Sequence, residues 1–198
     1  QSFLEKNPNA SLADIAYTLQ TGRKYFNHRR IISGGNVQEI ASAIQQANPK
    51  KTASRELTTG NPEIIFMFPG QGSQYVNMGK NLYDDEIVFK DAVDTCCNIL
   101  QPHLGIDLRT ILYPKDADKE KAENLLKETI YTQPSLFTIG YALAKLWMSW
   151  GIQPKGFIGH SIGEFAAAHF AGVFSLEDAL MLVANRGRMM QELPHGSM

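Results

Sequence analysis

The sequence is short of cysteine, of net charge and of long apolar runs, and each shortage removes a class of function. Its two cysteines, Cys96 and Cys97, are adjacent. Adjacent thiols fit neither a zinc site, which needs a second pair, nor a C-x-x-C redox motif, so both read as packing residues. With 19 Lys and Arg against 20 Asp and Glu the formal charge is −1. That leaves no global field to hold nucleic acid or an anionic membrane. No apolar run approaches the roughly 18 to 20 residues of a membrane span, and the start, Gln1-Ser2-Phe3-Leu4-Glu5-Lys6, lacks a signal-peptide core. Neither nucleic acid nor a membrane is expected as a partner, and the expected location is cytoplasmic. What is present is ordinary for a folded chain: 43% hydrophobic and 20% charged residues over 198 positions. That suffices for one sizeable core, or for a small domain joined to part of a larger one. The first residue is not Met, and Leu193-Pro194-His195-Gly196 follows the last periodic segment as a turn signal, so a piece of a longer protein is expected.

Two units are expected along the chain. In the first, Leu12, Ile15, Ala16 and Leu19 recur at helical spacing behind Ser11, with Asp14 three residues on as a cap. A basic patch, Arg23-Lys24-Tyr25-Phe26-Asn27-His28-Arg29-Arg30, runs into Ile31-Ile32-Ser33, a candidate strand stopped by Gly34-Gly35. A helix over 37–47 follows, with Val37, Ile40, Ala41 and Ile44 on one face. Residues 48–61 are polar and read as a linker.

The second unit opens on Ile64-Ile65-Phe66-Met67-Phe68, a continuous apolar run expected to be a parallel-sheet strand buried on both faces. Helices are expected over 89–100, 119–127 and 134–150. In the last of these Pro134 would sit in the first turn, and Leu136, Ile139, Gly140, Leu143, Leu146, Trp147 and Trp150 would form the buried face. A short strand, Gly156-Phe157-Ile158, leads to Gly159-His160-Ser161-Ile162-Gly163-Glu164 and a small-residue helix. A final helix starts at Ser175, with Asp178 as its capping partner, and runs to about Gln191. Strands alternating with helices in this way predict an α/β architecture.

Gly159-His160-Ser161-Ile162-Gly163 fits the G-x-S-x-G elbow, a sharp strand-to-helix turn that lifts a serine hydroxyl out of the sheet. The pentapeptide alone is a weak signal. The apolar strand before it and the helix N-terminus after it, whose amides can face a developing oxyanion, strengthen it. His160 adjoins the serine, but neighbours on a strand point to opposite faces, so it reads as a supporting residue rather than the base. His195, in a turn-like segment, is a weaker candidate. On the last helix Ala179, Leu182, Val183, Met189 and Met190 define an apolar face that Arg186 shares and Arg188 does not. An inward arginine needs an anion. That anion is either a structural partner such as Glu164 or a substrate carboxylate, which the planar guanidinium fork suits.

Three segments together carry a family resemblance: Phe68-Pro69-Gly70-Gln71-Gly72-Ser73-Gln74 with Met78-Gly79, the elbow with Glu164, and Asn185-Arg186-Gly187-Arg188-Met189-Met190-Gln191. In this order they resemble the malonyl and acyl transferases of fatty-acid and polyketide synthases. Tyr17-Thr18-Leu19-Gln20-Thr21-Gly22-Arg23 with His28-Arg29 is similar to the linker between ketosynthase and acyltransferase in modular synthases. The resemblance implies a linker subdomain of α+β type over 1–57. It also implies the front of an α/β-hydrolase-like large subdomain over 62–198, with a ferredoxin-like small subdomain and a general-base histidine expected beyond it.

It implies Ser161 as the acyl-carrying nucleophile, the backbone amides of Gln71 and Ile162 as the oxyanion hole, and Arg186 as the holder of the malonyl carboxylate. No metal or permanently bound cofactor is implied. The substrate would be malonyl-coenzyme A or a related extender unit, and the acceptor the phosphopantetheine thiol of an acyl carrier protein, beside a ketosynthase domain of the same synthase. Ile162, together with Glu128-Thr129-Ile130-Tyr131-Thr132-Gln133-Pro134-Ser135-Leu136-Phe137, resembles the malonyl-preferring subgroup, a branched side chain narrowing the space over the malonyl α-carbon. The competing readings are a serine esterase or thioesterase that releases its acyl group to water, and a non-catalytic docking piece whose basic patch meets acidic surfaces.

Overall fold

The computed structural model describes residues 1–58 and 62–193. It divides into two compact units, residues 1–62 and residues 63–198.

In the first unit α1 (Ser2–Lys6) packs on α3 (Val37–Gln46), burying Leu4, Val37 and Ala43. Asn36 caps α3 by accepting from the Glu39 amide at 2.8 Å, and the Glu39 carboxylate accepts from the Gly35 amide in return. Helix α2 (Leu12–Thr21) begins at Ser11, whose Oγ accepts from the Asp14 amide, as its sequence predicts. The strand expected at 31–33 starts earlier. β1 (His28–Ile32) takes in the last three residues of the basic patch and pairs antiparallel with β2 (Thr52–Glu56), in the register His28↔Glu56 to Ile32↔Thr52. β2 lies inside the stretch expected to be a linker. Its sequence, Thr-Ala-Ser-Arg-Glu, has no apolar alternation, because nearly all of it is exposed and β1 supplies its hydrogen bonds.

In the second unit β3 (Ile65–Phe68) and β4 (Gly156–Gly159) form a parallel pair in the register Ile65↔Gly156 to Phe68↔Gly159. Parallel neighbours need a long crossover, and most of the unit's helices lie within it. These are α4 (Lys80–Asp85), α5 (Ile87–Leu104), α6 (Arg109–Leu112), α7 (Lys119–Leu125) and α8 (Thr129–Ser149). After β4 come α9 (Gly163–Phe170) and α10 (Leu176–Gln191), the latter capped by Ser175 accepting from the Asp178 amide at 3.0 Å. The sheet is covered on the side of α9, where the Phe170 ring stacks on Phe68, Phe157 and Tyr141 at centroid distances of 5.9, 5.7 and 5.5 Å. Ile65, Met67 and Ile158 remain 54%, 76% and 51% exposed, so β3 is not buried on both faces as its apolar run suggests.

Helix α8 is the centre of the unit, packed by α5, α9 and α10. It starts five residues earlier than its sequence suggests, and Pro134 lies within its second turn rather than its first. A proline there removes one backbone bond. Residues 132–139 are all buried, and that packing holds the helix in spite of it. The buried face differs from the expected stripe: Trp147 and Trp150 stand 48% and 54% exposed and pack edge-on against each other. Beside it, α5 is tied to the α6 region by Arg109, which meets Asp107, Asp94 and Asn98 at 2.9 Å each. Burial alone would raise the Asp94 carboxyl, but hydrogen bonds from Lys90, Arg109 and Tyr83 together hold it below the usual carboxylate range.

Cys96 and Cys97 of α5 are both fully buried, as packing residues should be. Burial in the apolar core pushes the Cys97 thiol up to about 12 and raises Cys96 as well, with further push from its neighbour thiol. In the native protein neither should react with a disulfide-exchange reagent at mildly alkaline pH, and both should titrate after denaturation. Rapid labelling of the native state would contradict this packing.

Candidate active site

The chain leaves β4 at Gly159 and enters α9 at Gly163, and the intervening turn is tight enough to fix its residue types. Ser161 sits at φ +52°, a left-handed conformation costly for a residue with a side chain. A Cβ on Gly159 would lie 2.2 Å from the Glu164 amide nitrogen, and one on Gly163 2.3 Å from the Phe68 carbonyl oxygen. The helix therefore starts directly against β3, as the elbow reading requires. The His160 amide donates to the Phe68 carbonyl at 3.0 Å, extending the β3–β4 pairing into the turn. Ser161 is exposed at the tip.

The loop after β3 meets this turn from the side. Gly70 lies against the His160 ring so closely that a Cβ would sit 2.3 Å from Nδ1. This contact packs the His160 ring against the loop. Ser73 donates to the Gly70 carbonyl, and the Gly72 amide donates to Gln74 Oε1 at 2.7 Å, which shapes the loop from within. Among the described residues neither the Gln71 amide nor the Ile162 amide donates to a protein acceptor. Both remain available. The side chain of Ile162 is 1% exposed and belongs to the core. It therefore does not line the open side of the turn, which corrects the expectation that it directly narrows the space over a substrate.

Arg186 comes to the turn from α10. The buried stripe of that helix is Ala179, Leu180, Val183, Ala184 and Gly187, whereas Leu182 and Met189 are exposed, so the face lies somewhat around from the expected one. Arg186 borders it, half-buried. Its Nη2 donates to Ser161 Oγ at 3.3 Å, its guanidinium carbon lies 5.8 Å from the centre of the Phe165 ring, and its Nη1 is buried with no hydrogen-bond partner. Among the described residues Arg186 makes no ion pair, with Glu164 or any other acid. Arg188 points elsewhere and donates to the His103 carbonyl at 2.6 Å. A cation beside a serine hydroxyl, with one nitrogen buried and unpaired, has a donor left over that an anion can satisfy.

Sequence reasoning gave no role to Thr129 and Gln191, which brace these parts. The Thr129 amide, at the start of α8, donates to Gln191 Oε1 of α10 at 2.7 Å, and Thr129 Oγ1 accepts from Gln71 Nε2 at 3.3 Å. One residue thus links the Gln71 loop to the helix that carries Arg186. Both lie in segments that carry the family resemblance, and that was their only signal. His195 lies outside the described residues. A concavity of about 520 Å³ on the first unit's hairpin is lined by His28, Arg29, Arg30, Ser54, Arg55 and Glu56.

Gly163→Ala should destabilise the second unit by about 3 kcal/mol, at the upper end of overpacking penalties, because its Cβ meets backbone rather than a movable side chain. Chemical denaturation measures this, and an unchanged midpoint would contradict the geometry of the turn.

Known proteins match the chain along most of its length. Residues 65–198 match the family described as acyl transferase domain, and residues 1–44 match the one described as CurL-like, PKS C-terminal. The chain is 38% identical over 198 residues to the Mycoketide-CoA synthase of Mycobacterium tuberculosis, covering 98% of this chain and 5% of that protein. It is 40% identical over 181 residues to an orsellinic acid synthase of Armillaria mellea, covering 91% and 8%. Among solved structures it is similar to the acyl transferase domain of ZmaA, with 45% identity and a TM-score of 0.89 over 98% of this chain and 45% of that one. It is also similar to an acyl carrier protein S-malonyltransferase from Vibrio cholerae, with 32% identity and a TM-score of 0.57 over 68% and 42%. The chain thus spans less than half of each of these relatives. The family match over residues 65–198, with relatives that are polyketide synthases, establishes that this chain belongs to the acyl transferase domain family, of the kind found in polyketide synthases.

Proposed function

We propose that this chain loads a malonyl-type extender unit: Ser161 takes the acyl group from a coenzyme A thioester and yields it to the phosphopantetheine thiol of an acyl carrier protein. The observation that carries the proposal is the Arg186 guanidinium, with Nη2 at 3.3 Å from Ser161 Oγ and Nη1 buried and unpaired. A general esterase has no use for a half-buried cation beside its nucleophile. A donor whose far end is a carboxylate does. The names of solved relatives, including the S-malonyltransferase of Vibrio cholerae, support the same donor class.

The steps follow from the geometry. A bound donor places its carboxylate on the Arg186 fork, drawing Nη2 off the serine and giving Nη1 its missing partner. Ser161 Oγ attacks the thioester carbonyl carbon, and the negative charge that forms on the carbonyl oxygen is met by the amides of Gln71 and Ile162. The hydroxyl proton needs an acceptor, which Arg186 cannot be, because a guanidinium only donates. That acceptor is a further group, since no described side chain accepts a hydrogen bond from Ser161 Oγ. Collapse of the intermediate breaks the carbon–sulfur bond and expels coenzyme A as its thiol, leaving an ester on Ser161. The carrier thiol reverses these steps, forming its own thioester and restoring the serine.

In this reading the second unit is the front of an α/β-hydrolase-like large subdomain, with the β3–β4 pair and its elbow as the observed part. Residues 1–57 are a linker that follows a ketosynthase, supported by the match of residues 1–44 to a polyketide-synthase family model.

Arg186→Ala in the full-length protein should lower loading from malonyl-coenzyme A on the order of 100-fold, as expected for about 3 kcal/mol of charge-assisted hydrogen bonding. Loading from acetyl-coenzyme A, which has no distal carboxylate, should stay within a few-fold of the parent. Equal loss with both donors would contradict the carboxylate role, and rapid release of the acyl group to water in the presence of carrier protein would favour the esterase reading.

A further inference from the structure

A second unpaired polar atom is buried on α8, the helix that packs against α10 and its Arg186. Gln133 of α8 is 1% exposed, and its Oε1 has no hydrogen-bond partner. A buried amide oxygen left unpaired costs about 1–3 kcal/mol, so such groups are kept for a reason. Gln133 faces α10, because its Nε2 contacts Met190 Sδ at 3.3 Å. Met190 lies one helical turn beyond Arg186, at the i,i+4 spacing that puts two side chains on one face. The two helices come unusually close at this crossing: a Cβ on Gly187 would sit 3.1 Å from the Thr129 carbonyl oxygen and 3.2 Å from Ile130 Cα. An unpaired buried acceptor on α8 and an unpaired buried donor, Arg186 Nη1 on α10, are thus carried by the two helices that meet at this crossing.

We propose that Gln133 is a positioning residue for the carboxylate fork: when a substrate carboxylate draws Arg186 Nη2 away from Ser161, the guanidinium turns and Nη1 donates to Gln133 Oε1. This rests on the reading of Arg186 given above. The chemistry of the acceptor is what gives the pair its use. A guanidinium has five donors and a carboxylate occupies two, so the rest need acceptors if the fork is to hold one orientation. A carboxylate side chain at position 133 would orient the fork too, but it would neutralise the cation and compete with the substrate. An amide oxygen orients it and leaves the positive charge for the incoming anion. Selectivity for carboxylate-bearing donors then depends on a neutral residue that touches no substrate.

The test uses two variants of the full-length protein, with loading from malonyl-coenzyme A and acetyl-coenzyme A measured as KM and kcat. Gln133→Met replaces the amide by an apolar chain of similar length, which removes an unpaired buried polar atom and should leave the fold intact. It should raise KM for malonyl-coenzyme A roughly tenfold, the worth of one hydrogen bond to a charged group, with acetyl loading within about twofold of the parent. Gln133→Glu should abolish malonyl loading by pairing with Arg186 and leave acetyl loading in place. Malonyl kinetics unchanged in either variant, or parallel loss with both donors, would overturn the proposal. If Arg186→Ala is selective against malonyl while Gln133→Met is silent, this inference alone fails. If Arg186→Ala loses both donors equally, the reading beneath it fails.

Discussion

The site depends on the contact of Gly163 with the Phe68 carbonyl, which leaves no room for a Cβ. That contact seats the first turn of α9 directly on the end of β3 and forces the residue before Ile162 into a left-handed conformation at φ +52°. The strained residue is Ser161. Strain of this kind costs of the order of 1–3 kcal/mol and survives only where the surroundings over-determine it. Here the parallel register of β3 and β4 fixes one side and the stacked Phe170 ring fixes the other. The hydroxyl is thereby held out of the sheet, beside the Ile162 amide, which has no acceptor among the described residues.

Three pieces of chain distant in sequence must then meet at this turn, and α8 brings them together. Its first residue ties Gln71 to Gln191, its second turn faces Met190 through Gln133, and its core-facing side holds α5 and α10 in place. A helix at the centre of a unit is enclosed on most sides, so polar residues such as Thr132, Gln133, Ser135 and Thr138 are as buried as Leu136 and Phe137. Of these, Thr132 bonds back to the Leu126 and Glu128 carbonyls, while Gln133, whose Nε2 meets Met190 of α10, keeps an unpaired oxygen.

How much of this the sequence made legible depended on whether the governing force was local. The caps at Ser11 and Ser175 are settled within four residues, and both helices begin where their sequences indicate. The apolar strands and the elbow between β4 and α9 carried equally local signatures. β2 was unreadable because its residues are polar on both faces and it exists by pairing with β1. Pro134 misled because packing around α8 outweighs one missing backbone bond. Trp147 and Trp150 misled because a helical stripe of apolar residues says which side is greasy, not how far the core extends along it. Within the site, Arg186 could be singled out because a charged residue on an apolar face demands an explanation. Thr129, Gln133 and Gln191 could not, because uncharged polar residues demand none until their partners in space are known.

The central claim is that Ser161 carries the acyl group. Intact-mass analysis of the full-length protein after incubation with malonyl-coenzyme A, followed by peptide mapping, tests it most directly. The account predicts a single malonyl ester on the peptide containing Ser161, discharged by holo acyl carrier protein. No adduct, or an adduct on another residue, would contradict it.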